Sequence, residues 1–162
     1  MTDRFDPNVP SGPLTIQGDI TSVTVTEQPE FGPANLVVNA NKPFDIEVSW
    51  RVFGNLTPMW LTALSQASPN WVVTAYAESV GPGSEISLGS VDVPVGAGPF
   101  TQDVAYTAKL TVPPVLAEEN PGDPTQSGVY RLVVTAFLDS TIGPFDMIGY
   151  AEGPVIKVED PN

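Results

Sequence analysis

The densest group of oxygen ligands in this sequence is the acidic stretch 118–123, EENPGD. Carboxylate and carbonyl oxygens are the ligands that Ca²⁺ prefers, and it binds six to eight of them. Glu118, Glu119 and Asp123 are therefore the candidate calcium ligands. The stretch lacks the regular acidic spacing of a known calcium-binding loop, and a solvated turn between strands explains the same residues. We predict no metal site and no other cofactor for this chain.

Catalytic chemistry is restricted because the sequence contains neither histidine nor cysteine. The absence of histidine removes the usual base of a serine or threonine nucleophile and the commonest transition-metal ligand. The absence of cysteine removes disulfides, zinc–thiolate sites and thiol nucleophiles. A carboxylate pair of the glycosidase type remains, but among nineteen acidic residues some pair always lies within range. We predict a non-catalytic protein, with a carboxylate-dependent hydrolase as the least favoured alternative.

Large aromatic residues are the other candidates for a binding surface. Trp60 follows Pro58 and Met59 in a long connection, and Trp71 begins a strand. An exposed tryptophan can anchor a protein partner or stack on a sugar ring. Pro58, Met59, Trp60 and Trp71 are thus the candidate contact residues. The alternative for Trp60 is that it closes one open end of the fold.

Composition limits the class of partner. Nineteen acidic residues against six basic ones give a net charge of −13, which repels nucleic-acid phosphates and anionic membrane surfaces. We expect neither nucleic acid nor membrane as a partner. The N-terminus lacks the basic and apolar regions of a secretory signal, so we expect synthesis in the cytoplasm, and the final compartment stays open.

The elements that must position these residues are strands. Residues 44–53 alternate between apolar and polar side chains, and so do 104–112 and 130–138. A period of two places one face of a strand in a core and the other in water. Val133 and Phe137 make the second face of the third segment partly apolar, which predicts a central strand whose second face is partly covered.

Weaker strand patterns and turns complete the chain. Eighteen prolines and fourteen glycines separate short strands, which is typical of a β-sandwich. The further strands are expected at 14–17, 20–26, 36–40, 71–79, 86–93 and 147–158. The connection 54–70 is predicted to hold one helical turn. Residues 1–13 are predicted to form an extended arm, and residues 14–162 a single all-β sandwich domain of about seven to nine strands.

The corner at residues 126–132, QSGVYRL, resembles the entry to the sixth strand of immunoglobulin-like sandwiches, including fibronectin type III-like modules. Gly128 and Tyr130 match the glycine and tyrosine of that corner. The resemblance implies that the Tyr130 hydroxyl bonds back to the chain, and that Leu132 replaces the cysteine of disulfide-bonded relatives. Ile46 or Val48 would then lie opposite Leu132. Trp50, on a clean apolar face, is expected in the core.

These features favour a non-catalytic structural or interaction module that binds a protein or copies of itself. Its extended arm suits strand addition to the sheet of a neighbour. Modules of this kind resemble accessory (decoration) proteins of virus particles and subunits of bacterial surface assemblies. A carbohydrate-binding module that uses Trp60 or Trp71 is the alternative.

Overall fold

The computed structural model describes residues 3–27, 36–67, 69–140 and 145–160. These residues form nine strands and one helix. The elements are β1 (Asp3–Asp6), β2 (Gln17–Glu27), β3 (Val37–Asn39), β4 (Phe44–Phe53), α1 (Thr57–Ser65), β5 (Asn70–Ser79), β6 (Ile86–Pro94), β7 (Asp103–Val112), β8 (Val129–Leu138) and β9 (Met147–Glu159). The predicted all-β class is confirmed.

The smaller sheet has three antiparallel strands in the order β2-β4-β7. Its central strand, β4, has the bounds that the sequence pattern predicts. The alternate residues from Phe44 to Val52 are buried, Trp50 among them, while Glu47 faces solvent. Clean alternation therefore directs one face of β4 into the core, as expected for a period of two.

The larger sheet has the order β1-β9-β8-β5-β6, with β3 also paired to β9. β8 lies at its centre and buries Tyr130, Leu132 and Val134 against the smaller sheet. On the opposite face of β8, Val133 is only 5% exposed, whereas Phe137 is 38% exposed. The prediction of a central strand with a partly covered second face is confirmed.

The two sheets together form an immunoglobulin-like antiparallel β-sandwich. The chain changes sheet at every connection except those from β5 to β6 and from β8 to β9, and β2-β4-β7 packs against β9-β8-β5-β6. β3 runs parallel to β9 along Val37–Lys157 to Asn39–Glu159, while the other strand pairs are antiparallel. The predicted fold is thus confirmed, including the cysteine-free core.

Part of the segment predicted as an arm belongs to the larger sheet. Residues 3–6 form β1 and pair with residues 148–151 of β9. The Phe5 ring fills the space above Gly18 and Gly149, where a Cβ atom on either glycine would collide with it. Of the strand expected at 14–17, Ile16 forms one bridge with Val9, and Gln17 begins β2.

The long connection after β4 holds a nine-residue helix rather than a single turn. Pro58 lies in its first turn, where a missing N–H removes no helical hydrogen bond. Thr57, Leu61 and Leu64 are buried, so α1 covers one end of the sandwich. Among the described residues, no helix has the length and apolar character needed to span a membrane.

Candidate interaction surface

Trp71 is a core residue, and its prediction as a contact residue is wrong. Its ring centroid lies 5.6 Å from that of Trp50 and 5.5 Å from that of Tyr106, and no part of the side chain is exposed. Trp71 is the second residue of β5, where it pairs with Leu138 of β8 and Val93 of β6 and lies on the core face of the sheet. Trp71 therefore cannot serve as a platform for a sugar ring in this structure.

The corner before β8 is architectural. The hydroxyl of Tyr130 donates to the carbonyl of Ala117 at 2.9 Å, which is the bond that the family resemblance implies. Gly128 has φ +70° and lies against the backbone of Glu119. Leu132 is completely buried in the same core as Ile46 and Val48. These residues hold the chain where it enters β8 and leave no free group for binding chemistry.

Two of the three carboxylates in the acidic stretch 118–123 accept hydrogen bonds from the chain. Asp123 accepts hydrogen bonds from Oγ1 and N of Thr125 at 2.7 and 2.9 Å, and these bonds lower the pKa of Asp123. Glu118 accepts a bond from the backbone N–H of Asp160 at 3.0 Å, and Glu119 is exposed. Within the described residues, no three metal-ligating side chains come close enough to hold an ion.

The three candidates on α1 differ in exposure. Trp60 Nε1 donates to the carbonyl of Phe145 at 3.1 Å, and the two rings meet edge to face at 5.0 Å between centroids. Trp60 is therefore half-buried and held in place. Met59 is 65% exposed, and Pro58 is half-buried. Met59 is the most exposed of the predicted contact residues.

Three connections without any charged residue meet at the α1 end of the sandwich. They are residues 7–16, 54–69 and 95–102, and we call their described part the neutral end. Hydrogen bonds join them to each other. The bonds run from Leu56 N to Thr15 O (2.9 Å), from Asn55 Nδ2 to Pro13 O (3.0 Å), from Gly54 N to Gln102 O (2.9 Å) and from Val95 N to Pro69 O (3.2 Å).

The neutral end carries exposed apolar side chains. Val9 is 43% exposed, Leu14 55% and Met59 65%. Beside them, the connection 95–102 and the start of β7 enclose an open cleft of about 460 Å³, whose lining includes Phe100, Tyr106 and the charged Asp103. The neutral end thus has exposed apolar side chains next to an open cleft.

Some of the charges beside the neutral end are held in ion pairs or hydrogen bonds. Arg51 binds Asp19 at 2.9 Å and Asp103 at 3.2 Å. The fourth connection at this end, after β8, contains Asp139 and Asp146. Asp146 accepts bonds from N and Oγ of Ser140 at 2.8 and 2.7 Å.

The opposite end of the sandwich is acidic. It comprises the described parts of the connections after β2, β3, β5 and β7, together with the end of β9. Its acids include Glu85, Glu118, Glu119, Asp123, Glu159 and Asp160. We call it the acidic end. The charge of this protein is therefore distributed unequally along the strand direction.

Only part of the neutral end is predicted from the sequence. Pro58, Met59 and Trp60 are among the predicted contact residues, whereas Val9, Leu14 and the connection 95–102 are not. The signal available was the absence of Asp, Glu, Lys and Arg from three separate segments. Only the strand order shows that these segments meet at one end.

The fold places this chain among immunoglobulin-like β-sandwiches, and comparison with known proteins gives structural likeness without a family. No protein-family model matches it, and no curated protein matches it. The C-terminal domain of wzt has a TM-score of 0.52 and 11% identity, covering 94% of this chain and 81% of that one.

Two further solved structures have lower TM-scores. A beta-glucosidase from Listeria innocua matches at a TM-score of 0.43 and 12% identity, over 91% of this chain and 16% of that one. The superoxide reductase (neelaredoxin) from Ignicoccus hospitalis matches at 0.33 and 19%, over 86% and 82%. At these identities the likeness shows the fold alone.

Proposed function

We propose that this protein is a non-catalytic interaction module that binds a protein partner through its neutral end. The observation that supports this most is the absence of charge from the three connections that meet there. They contain 10, 16 and 8 residues, and at the chain average of 15% charged residues about five charges would be expected among them. The centres of protein interfaces are depleted of charge and enriched in aromatic residues and Met.

The position of Met59 adds a second argument. Met59 lies on a helix that is anchored by buried Leu61 and Leu64 and by the bond from Trp60 to Phe145. A rigid support lowers the entropic cost of binding because little must be ordered on contact. Met59 is therefore an exposed apolar anchor on a fixed base.

The unequal distribution of charge suits an oriented attachment. With the neutral end docked, the acidic end projects into solvent and keeps the complex soluble. An accessory protein on a virus particle, or a subunit of a bacterial surface assembly, would use such an orientation. The proposal includes attachment to a virus particle and attachment within a bacterial surface assembly.

Site-specific photo-crosslinking tests the function. A benzophenone amino acid replaces Met59 in one variant and Val115, an exposed apolar residue at the acidic end, in a matched control. Both proteins are irradiated in the cells that make them, and crosslinked products are identified by mass spectrometry. We expect a defined protein adduct from position 59 and none from position 115. No adduct at 59, or equal adducts at both positions, would disprove docking through the neutral end.

A further inference from the structure

We propose that the outer face of the larger sheet is a second binding surface, which takes a protein segment whose apolar centre is flanked by lysine or arginine. This surface is separate from the neutral end and lies beyond the proposed function. Two observations support it: a row of apolar side chains that are neighbours across strands, and a carboxylate at each end of that row.

The apolar side chains lie on the three central strands of the larger sheet. Phe137 of β8 pairs with Val72 of β5 on one side and with Ile148 of β9 on the other. Because the adjacent residues of all three strands are buried in the core, these three side chains point to the outer face. Phe137 is 38% exposed and Ile148 43%, and Val72 is half-buried. We call these three residues the apolar row.

Cross-strand pairing distinguishes the apolar row from the other exposed apolar side chains on strands. Among the described residues, these others are Val37 and Val155, and each pairs with a basic residue, Lys157 and Arg131 respectively. A single apolar side chain on a surface is normal, whereas adjoining ones form a patch that favours contact with a partner. The apolar row is therefore the part of the outer strand surface that a partner would cover most favourably.

An aspartate continues the apolar row on the strand at each edge of the sheet. Asp92 of β6 pairs with Val72, and Asp6 of β1 pairs with Ile148. Both aspartates are exposed, and neither forms an ion pair within the part of the chain that the structure describes. The nearest basic residue in register is Arg4, two residues before Asp6 on β1. Both carboxylates can therefore bind a cationic group of a partner.

The position of these charges selects the chemistry of the partner. Carboxylates at both ends of an apolar row complement a segment with an apolar centre and a basic residue on each side, and they repel an acidic segment. The net charge of −13 attracts a basic partner over a longer range and opposes contact between two copies. Five strands at a spacing of about 4.8 Å place Asp6 and Asp92 about 19 Å apart, a distance that about six residues of extended chain would span.

An amide NMR titration of the full chain with synthetic peptides tests the proposal. The probe peptide has about six leucine and phenylalanine residues between lysines. One control peptide has glutamate in place of lysine, and another has serine in place of the apolar residues. We expect binding of the probe, with the largest chemical-shift changes at residues 72, 137 and 148 and with an affinity that falls as salt is added.

Matched variants separate the apolar contribution from the charged one. Phe137→Ser should weaken binding of the probe by about tenfold or more, whereas Val155→Ser, at a 43% exposed residue of the same sheet, should leave it unchanged. Asp6→Asn and Asp92→Asn should each weaken binding by about two- to fivefold, as for an exposed ion pair, and reduce its salt dependence. Glu119→Gln removes the same charge at the acidic end and should have a smaller effect. Circular dichroism checks that all variants fold.

Four outcomes would overturn the proposal. Equal binding of the serine peptide would show attraction by charge alone, and equal binding of the glutamate peptide would remove charge complementarity. Shift changes centred on the acidic end would place the site elsewhere, and a probe that does not bind the folded protein would refute the surface outright. These outcomes are independent of crosslinking from position 59, which tests the neutral end.

Discussion

The hydroxyl of Tyr130 reaches back thirteen residues to donate a hydrogen bond to the carbonyl of Ala117 at 2.9 Å. This bond ties the start of β8 to the connection that crosses between the two sheets. Tyr130→Phe removes the donor and leaves the carbonyl without that partner. We expect a loss of about 1 kcal/mol or somewhat more in the free energy of unfolding, measured by urea denaturation.

The matched control for this change is Tyr76→Phe, on the outer face of β5. Tyr76 is half-buried there and none of its side-chain contacts is used by the corner, so we expect a change within about 0.5 kcal/mol. Equal unfolding midpoints for Tyr130→Phe and the unchanged protein would contradict the role given to the corner.

Gly128 should tolerate no side chain. Its φ of +70° lies in the left-handed region, and an added Cβ would meet the backbone of Glu119. We expect Gly128→Ala to lower the free energy of unfolding by more than about 2 kcal/mol, from the conformational cost together with the collision. Gly122→Ala, whose Cβ would meet only the Asn120 side chain at 3.4 Å, should be nearly neutral. A similar result for both glycines would refute the explanation.

Removal of a hydroxyl from Thr57 should stabilise the protein. Thr57 is completely buried, and its Oγ1 has no hydrogen-bond partner in the described part of the chain. Thr57→Val keeps the shape and removes the unsatisfied group, so we expect a gain of about 1 kcal/mol. Thr111→Val is the control with the opposite sign, because the Thr111 hydroxyl donates to the buried carboxylate of Asp45 at 2.7 Å. Thermal unfolding compares the two variants.

Low pH should destabilise the connection between β8 and β9. Hydrogen bonds from the hydroxyl and then the amide of Ser140 lower the pKa of Asp146. A carboxyl whose pKa is lower in the folded state contributes stability above its unfolded pKa of about 3.9, and this is lost as pH falls through the folded pKa. We expect Asp146→Asn to be less stable than the unchanged protein at pH 7 and to approach it below pH 4.

The measurement for Asp146 is the unfolding midpoint as a function of pH. Asp92→Asn, at an exposed position of β6, removes the same charge and serves as the control. A difference between Asp146→Asn and the unchanged protein that stays constant down to pH 2 would disprove the linkage.

Substitution of either Phe5 or Gly18 should detach β1 from β9. Phe5→Ala removes the ring, and Gly18→Ala places a methyl group where the ring lies. We expect each change to cost about 2 kcal/mol, below the range for a fully buried Phe. Hydrogen exchange at residues 148–151 of β9 should become faster in both variants. Protection that is unchanged in both would show that Phe5 does not hold the strand.

The sequence pattern predicts the strands that have one face in the core and the other in water. β4 has the predicted bounds, and β7 and β8 agree within one residue. Each has a clear period of two because one face is buried and the other is in water. β1 has only four residues, which is too short for any period to show. It becomes a strand because β9 offers an open edge and two glycines offer space for Phe5.

Other features depend on where the chain is placed in three dimensions. The nine residues of α1 include Pro58 and begin without a side-chain cap, so local signals indicate only a turn. Trp71 follows Pro69 and Asn70 at a strand start, and its neighbours along the chain do not show whether it faces the core or the rim. Which connections share an end follows from strand order, so the neutral end could not be assembled from sequence alone.

The outer edge of β9 has a consequence for aggregation. β1 covers residues 148–151 of this edge, and β3 covers 157–159. Between these two strands lies Pro154, which has no N–H to offer a passing strand. An amyloid-like extension needs a continuous row of free backbone groups, and the described residues leave no such row here. Ordered fibrils of this protein would therefore have to start elsewhere, at the β6 edge of this sheet, at the β2 or β7 edge of the smaller sheet, or after partial unfolding.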